Sequence, residues 1–402
     1  MNNKKYYPTA LALYFTYFVH GIGVSILGQY KQNFAGAWGA EKLANGTFDV
    51  SIVLTVIAAL GLGRLITLPF SGTVSDKFGR RISGLIGIVL YVFYFLGIVL
   101  APNMYIAYIF ALLGGAANSF LDTCVTPSCL EIFVNSGDVA NMFTKFSMSI
   151  GQMLLPFAIG FVSASNMSFR TIFFIAAIAL IIDGILISVM PFPQANGNAN
   201  AGKEVNVKSA KMKFDATSIA VICIGFTCTA TFQLWLNCNQ ELGKAYGLAD
   251  PSKIQTFYAL GSMVAILVTS VLVKKVMKPV RVLVLYPLIS LIMLLVILLV
   301  KTPVICLIGG FVLGYAAAGG VLQLAVSTAC SFFPENKGKI TSIVMIASSI
   351  SNYVILNIAG YLTKAGGVDG PKYVVLLNIV ITAIGIVLAL FVNKQYVKNG
   401  IE

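Results

Sequence analysis

Long apolar runs, separated by short polar or basic segments, set the pattern of this chain. Bounded by charge, proline and glycine, the runs fall at 7–30, 48–74, 82–101, 104–130, 139–164, 169–191, 216–240, 253–275, 280–300, 303–332, 340–363 and 372–393. A helix needs roughly 20 apolar residues to cross a hydrocarbon core of ~30 Å, and these runs meet that length. They are continuous, without the alternation of apolar and polar positions that marks barrel strands. The pattern predicts an all-α membrane protein of twelve transmembrane helices. An even count puts both termini on one side.

Composition agrees with that picture. The 402 residues are 58% hydrophobic and 10% charged, with a mean hydropathy of +0.89. A soluble domain carries about a quarter charged residues, so this chain cannot cover a water-facing surface. The net charge of +13 would point to nucleic acid in a soluble protein. Here the basic residues sit in short connections between apolar runs, where topology explains them. Seventeen lysines and arginines fall on the side that holds the termini and eight on the other. The bias predicts cytoplasmic termini and a multi-pass protein of the plasma or inner cell membrane. Lys4 and Lys5 precede a first run too long for the apolar segment of a cleavable signal peptide.

The longest polar stretch, Gln194 to Asp215, is rich in Asn, Gly and Lys and reads as a flexible cytoplasmic linker. It divides the chain into a six-helix bundle over 1–193 and a second over 216–402. A faint repeat supports duplication. Phe157-Ala-Ile-Gly160-Phe in span 5 parallels Asn357-Ile-Ala-Gly360-Tyr in span 11, and Lys77 to Arg80 after span 2 parallels Lys275 to Lys278 after span 8. Duplicated halves are a common plan of secondary transporters.

The sharpest local motif lies between spans 2 and 3: Gly72-Thr-Val-Ser-Asp76-Lys77-Phe-Gly79-Arg80-Arg81. Gly72 would allow close helix approach, and Gly79 a sharp turn. Asp76 can cap a helix or pair with a cation. Arg80 and Arg81 offer forked donors to a carboxylate, with Glu131 at the end of span 4 the partner expected for Arg80. A basic loop that only fixes topology is the plainer alternative. The motif resembles the loop signature of the major facilitator superfamily, with every defining position filled. The resemblance extends to span number, linker and length. It implies two pseudo-symmetric six-helix bundles rocking about a central site, with this loop latching the halves. The second copy, near Lys274 to Lys278, lacks the Gly and Asp.

Ionisable residues inside spans are costly and so are candidates for function. They are His20, Arg64, Asp122, Lys145 and Asp183. Asp122, in Ser119-Phe-Leu-Asp122-Thr-Cys-Val-Thr-Pro127, resembles the span 4 segment of fucose-permease-like proton symporters in its acid, the following Thr and the later Pro. Met142 to Gly151 resembles their span 5, with Lys145 where they carry Gln. The resemblance implies substrate recognition and proton coupling at Asp122. A carboxylate alone in apolar surroundings can carry a proton near neutral pH, whereas a paired Lys145 or Arg64 would hold it ionised. Arg64 would bind an anionic substrate or pair with Asp122. His20, beside Tyr14 and Tyr17, would relay protons, bind substrate or pack. Asp183 reads as structural.

Among neutral groups, Asn118 and Gln152 join the candidate site in the first half. The second half supplies Gln233, Asn237 and Gln240 on one face of span 7, with Gln323 in span 10 and Asn352 in span 11. Such amides suit hydroxyl-rich substrates, or they bond helix to helix. The leading expectation is proton-coupled uptake of a small polar, sugar-like solute by alternating access. The alternatives are an organic-anion carrier using Arg64, Lys145 and His20, and drug efflux by proton antiport. The expected partners are a small molecule, protons and lipid, with no nucleic acid, and the working unit is a monomer. The seven cysteines lack metal spacing and read as packing. The absence of a phosphate-binding GxxxxGK[ST] loop and of a metal cluster argues against an enzyme, a cofactor or an ATP-driven pump.

Overall fold

A computed structural model describes residues 3–133, 137–193, 215–333 and 337–400. The expected linker therefore lies, apart from Asp215, outside the described residues. The spans are Tyr7–Gln29, Ser51–Phe78, Arg80–Leu100, Met104–Ile132, Gly137–Ala164 and Thr171–Val189 in the first half. In the second they are Ala216–Ala245, Lys253–Lys275, Pro279–Val300, a broken span 10, Lys337–Gly366 and Gly370–Lys398. The last two are joined by a single 3-10 turn, Gly367–Asp369. Twelve membrane-length spans in two six-helix bundles result, as the apolar pattern predicts.

Local chemistry places the starts of these helices. The Asn103 side chain accepts from the amides of Tyr105 and Ile106, both at 3.1 Å, and opens span 4. Asp215 and Ser218 form a capping box at span 7. Ser218 donates to the Asp215 carboxyl from both its hydroxyl and its amide, which holds that carboxyl below its usual range. Proline sits in the first turn of spans 1, 9, 10 and 12, where its missing N–H costs nothing.

Glycine permits the tightest crossings. A Cβ at Gly63 of span 2 would fall on the Leu112 carbonyl of span 4, and one at Gly115 on the Leu60 carbonyl. The second half repeats the device between spans 8 and 10, where Gly261 meets the Phe311 carbonyl and Gly314 that of Tyr258. Spans 2 and 4 occupy the places in their bundle that spans 8 and 10 occupy in theirs, so the two bundles share a packing plan.

Three differences from the sequence reading matter. Span 10, expected to run unbroken over 303–332, is an α-helix over Pro303–Leu313, a π turn over Gly314–Ala318 and a second α-helix over Val321–Phe332. The break falls at Gly319 and Gly320, and Gly320 is left-handed at φ +101°, a conformation that side-chain-bearing residues resist. Span 7 continues past 240 to Ala245, which brings Glu241 inside it. Beyond span 1, the outer segment forms a short helix, Lys31–Ala37, and a bridge between Lys42 and Phe48.

The halves meet at the end of the molecule away from the termini. There one apolar core includes Leu54, Ile57 and Leu60 of span 2 together with Leu234 of span 7 and Ile355 and Leu356 of span 11. At the terminus-bearing end, the core around Val221, Leu283 and Val344 is built from described second-half residues alone. The two bundles thus share a core at the far end.

Candidate functional site

Mid-depth in the first half, four spans bring their polar residues to one point. Arg64 of span 2 donates from Nη2 to Oδ2 of Asp122 on span 4 at 2.7 Å. Tyr17 of span 1 donates to the other carboxylate oxygen at 2.6 Å. The Lys145 ammonium of span 5 lies 5.9 Å from the centroid of the Tyr17 ring. Among the described residues it has no carboxylate within ion-pair distance, although it acts on Asp122 through its charge. His20 lies tilted against Tyr17, with ring centroids 5.4 Å apart, and shares a hydrogen bond of 3.1 Å with the Tyr91 hydroxyl.

Helical spacing explains the convergence. Tyr17 and His20 are three residues apart on span 1 and share a face. On span 2, Ser119 of span 4 donates to the Arg64 carbonyl at 3.0 Å, which fixes the register of the two helices and sets Arg64 opposite Asp122. The carboxylate therefore pairs with Arg64 rather than Lys145. Two cations and one anion leave the cluster with one formal positive charge in excess. The pair is not sealed off, since the Arg64 and Asp122 side chains keep 22% and 33% of their exposure.

A second ionic site, unforeseen in the sequence reading, holds the halves together at the far end. Lys31 is 1% exposed, and its ammonium meets Glu241 of span 7 at 2.7 Å and also bonds the Asn237 carbonyl. Gln29 and Gln240 meet side chain to side chain at 2.7 Å, and Asn237 bonds Gln233 at 3.0 Å. Nearby, Gln152 of span 5 and Gln255 of span 8 both donate to the Ser25 hydroxyl of span 1, at 3.1 and 3.3 Å. Gln240, Asn237 and Gln152 are thus brought into this closure. Glu241 thus places a charge, its side chain 15% exposed, in the half whose sequence candidates are all neutral. Two signals were available in the sequence: a lysine directly after an apolar span, and Glu241 four residues beyond Asn237.

The motif between spans 2 and 3 is only partly as expected. Gly79 has φ +96° and supplies the turn. Arg80 meets Asp76 at 2.6 Å and Glu131 at 3.4 Å, so Asp76 pairs with a cation and caps no helix. Gly72 makes no close approach, with nothing within 4 Å of where its Cβ would stand. Arg81 turns to a carbonyl rather than a carboxylate, donating to Met190 at 2.6 Å at the end of span 6. Lys77 lies over the Phe78 ring at 5.6 Å. Other candidates scatter. Gln323 is exposed on the lower piece of span 10. Asp183, 2% exposed, accepts from Thr16 at 2.5 Å and ties span 6 to span 1.

Two candidates flank the Arg64–Asp122 level, Asn352 at the seam between the halves and Asn118 within the first half. Asn352 of span 11 packs on Gly61 of span 2, one turn from Arg64, and Asn118 stands one turn from Asp122 on span 4. Their side-chain oxygens are buried without a hydrogen-bond partner among the described residues.

Comparison with known proteins agrees with this architecture. Inner membrane transport protein YdiN of Escherichia coli is 31% identical over 391 residues, covering 96% of this chain and 90% of its own. Inner membrane transport protein YdiM of the same organism is 34% identical, covering 98% and 96%. In three dimensions the fold is similar to that of a D-xylose-proton symporter, with a TM-score of 0.75, 15% identity and coverage of 96% and 97%. The sequence profile of the Major Facilitator Superfamily matches residues 13–299 and 216–400. With twelve spans in two bundles that meet at one end, the chain belongs to the Major Facilitator Superfamily of membrane transporters.

Proposed function

We propose that this transporter carries a small organic anion across the membrane together with a proton, and that the cluster around Arg64 and Asp122 is its binding and coupling site. One observation carries the reading. Two cations and a single carboxylate stand together at mid-depth, and that carboxylate is already committed to Arg64 and Tyr17. A neutral sugar would bring nothing to offset the excess positive charge. An anion would offset it, since a buried charge is stable only when paired.

Coupling follows from competition. A substrate carboxylate that takes the Arg64 guanidinium displaces Asp122. With its guanidinium lost and a second carboxylate beside it, Asp122 takes up a proton rather than stay charged. Release reverses the order: the proton leaves, Asp122 returns to Arg64 and the anion is expelled. Lys145 adds charge for the substrate without being consumed by a carboxylate of its own. His20 and Tyr91 orient Tyr17, which holds the Asp122 oxygen that Arg64 does not.

The direction of the open end rests on topology. The basic bias predicts cytoplasmic termini, so the far end is extracellular. Closure by Lys31–Glu241 and Gln29–Gln240, with Arg64 and Asp122 partly exposed below it, then corresponds to an inward-facing state. In the outward-facing state these crossing bonds would part, and the cytoplasmic ends of the two halves would close on one another.

A thermal-shift screen of the purified protein against carboxylates, neutral sugars and lipophilic cations tests the substrate class. Stabilisation by carboxylates is expected. Stabilisation by sugars alone, or by lipophilic cations alone, would overturn the anion reading.

A further inference from the structure

We infer that the transported anion is a hydroxylated carboxylate, recognised by its charge in the first half and by its hydroxyls at the seam between halves; this rests on the anion reading above. The ion pair accounts for the charge of the site but not for the polar atoms that surround it. Four buried atoms near Arg64 have no partner among the described residues: Nε of Arg64 itself, Oδ1 of Asn118, Oδ1 of Asn352 and Oγ of Ser349. Buried polar groups are almost always paired, so a cluster of four calls for a ligand or bound water.

Their positions are linked. Gly61 lies three residues before Arg64 on span 2, and a Cβ there would stand 3.0 Å from both the Asn352 Cβ and the Ser349 carbonyl. Asn118 lies four residues before Asp122, on the same face of span 4. The four residues therefore stand at about the level of Gly61–Arg64, two from each half. Asn118 and Asn352 present acceptors. A ligand that satisfies them must bring hydrogen-bond donors in addition to its anionic group.

Charge decides which donors. An ammonium would enter a site that already holds Arg64 and Lys145 against one carboxylate, and it would be repelled. Hydroxyls donate without charge, and a hydroxyl can also accept from Arg64 Nε or Ser349. An anion bearing hydroxyls on adjacent carbons would touch both bundles at once. Its binding would then depend on how the seam between spans 2 and 11 is arranged, which is where the halves must move.

Four six-carbon probes separate the possibilities: gluconate, hexanoate, norleucine and glucose, each titrated against the intact purified transporter by calorimetry. Gluconate is expected to bind at least about tenfold more tightly than hexanoate, because apolar analogues leave buried amides unpaired. Norleucine and glucose are expected to bind more weakly than gluconate. Asn352→Ala should lower gluconate affinity roughly tenfold and bring it toward that of hexanoate, with ligand-free thermal unfolding reporting whether the variant folds. Equal affinity for gluconate and hexanoate would overturn the inference while leaving the anion reading standing. Tighter binding of norleucine would overturn the hydroxyl assignment. Binding of glucose with none of either carboxylate would overturn the anion reading itself.

Discussion

Two ion pairs divide the labour of this molecule. Lys31–Glu241 crosses between the halves at the far end, and its lysine is almost wholly buried. Arg64–Asp122 lies within the first half at mid-depth and stays partly exposed. The distances are alike at 2.7 Å, but the surroundings are not. A pair that spans the halves must break if they part at that end. A pair within one half can survive such a motion and can be broken instead by a ligand. Position relative to the seam between the halves, rather than bond length, separates the crossing pair from the pair proposed to bind substrate.

The largest effect should come from breaking the inner pair. Arg64→Ala leaves the partly exposed Asp122 without its cation, and stranding one partner of such a pair costs about 1–3 kcal/mol. Transport should fall at least ~100-fold, measured as uptake into proteoliposomes. Adding Asp122→Asn should recover the thermal stability of the fold but not transport, which separates folding from function. Breaking the outer pair should be less damaging to binding but should change access. Glu241→Gln leaves Lys31 buried and unpaired, so the far end should open more often. A cysteine placed at Gly28 should then react with an impermeant maleimide roughly tenfold faster than in the otherwise unmodified protein.

Lys145→Gln sharpens the contrast within the inner site. It removes excess charge without breaking an ion pair, so carboxylate affinity should drop about tenfold while the fold stays intact. Titration of the same carboxylate against both proteins reads this out. The loop between spans 2 and 3 should be more tolerant. Glu131→Gln weakens the longer of the two Arg80 ion pairs, and a reduction in uptake of roughly twofold to fivefold is expected. Unchanged uptake would dismiss that contact from the mechanism. Gly72→Ala should be close to neutral, because its Cβ would meet open space and alanine favours a helix.

The sequence made the scaffold legible because lipid imposes simple rules. Length, hydropathy and the Gly-rich motif were enough to read twelve spans and the family. The inner site was half legible. Asp122 and Arg64 stood out because charges inside spans are rare. Whether Asp122 paired with Arg64 or Lys145 depended on helix rotation, which the Ser119 bond to the Arg64 carbonyl fixes. The outer pair escaped because apolar runs were ended at polar residues. Span 7 was read as stopping at 240, although Glu241 continues the same helix. The break in span 10 escaped for the opposite reason. Its glycines lie in an apolar stretch that hydropathy reads as continuous, and only backbone conformation distinguishes them. Gly72 and Arg81 teach a related point. A motif identifies residues worth attention without saying what each one touches.

The central claim is that an anion displaces Asp122 from Arg64 and thereby couples its movement to a proton. Proton flux during transport tests this most directly. Proteoliposomes containing a pH-sensitive dye, driven by an inward gluconate gradient without an imposed pH gradient, should acidify internally with the wild-type protein. With Asp122→Asn, any remaining gluconate entry should proceed without acidification. Equal acidification per gluconate in the two proteins would contradict the account.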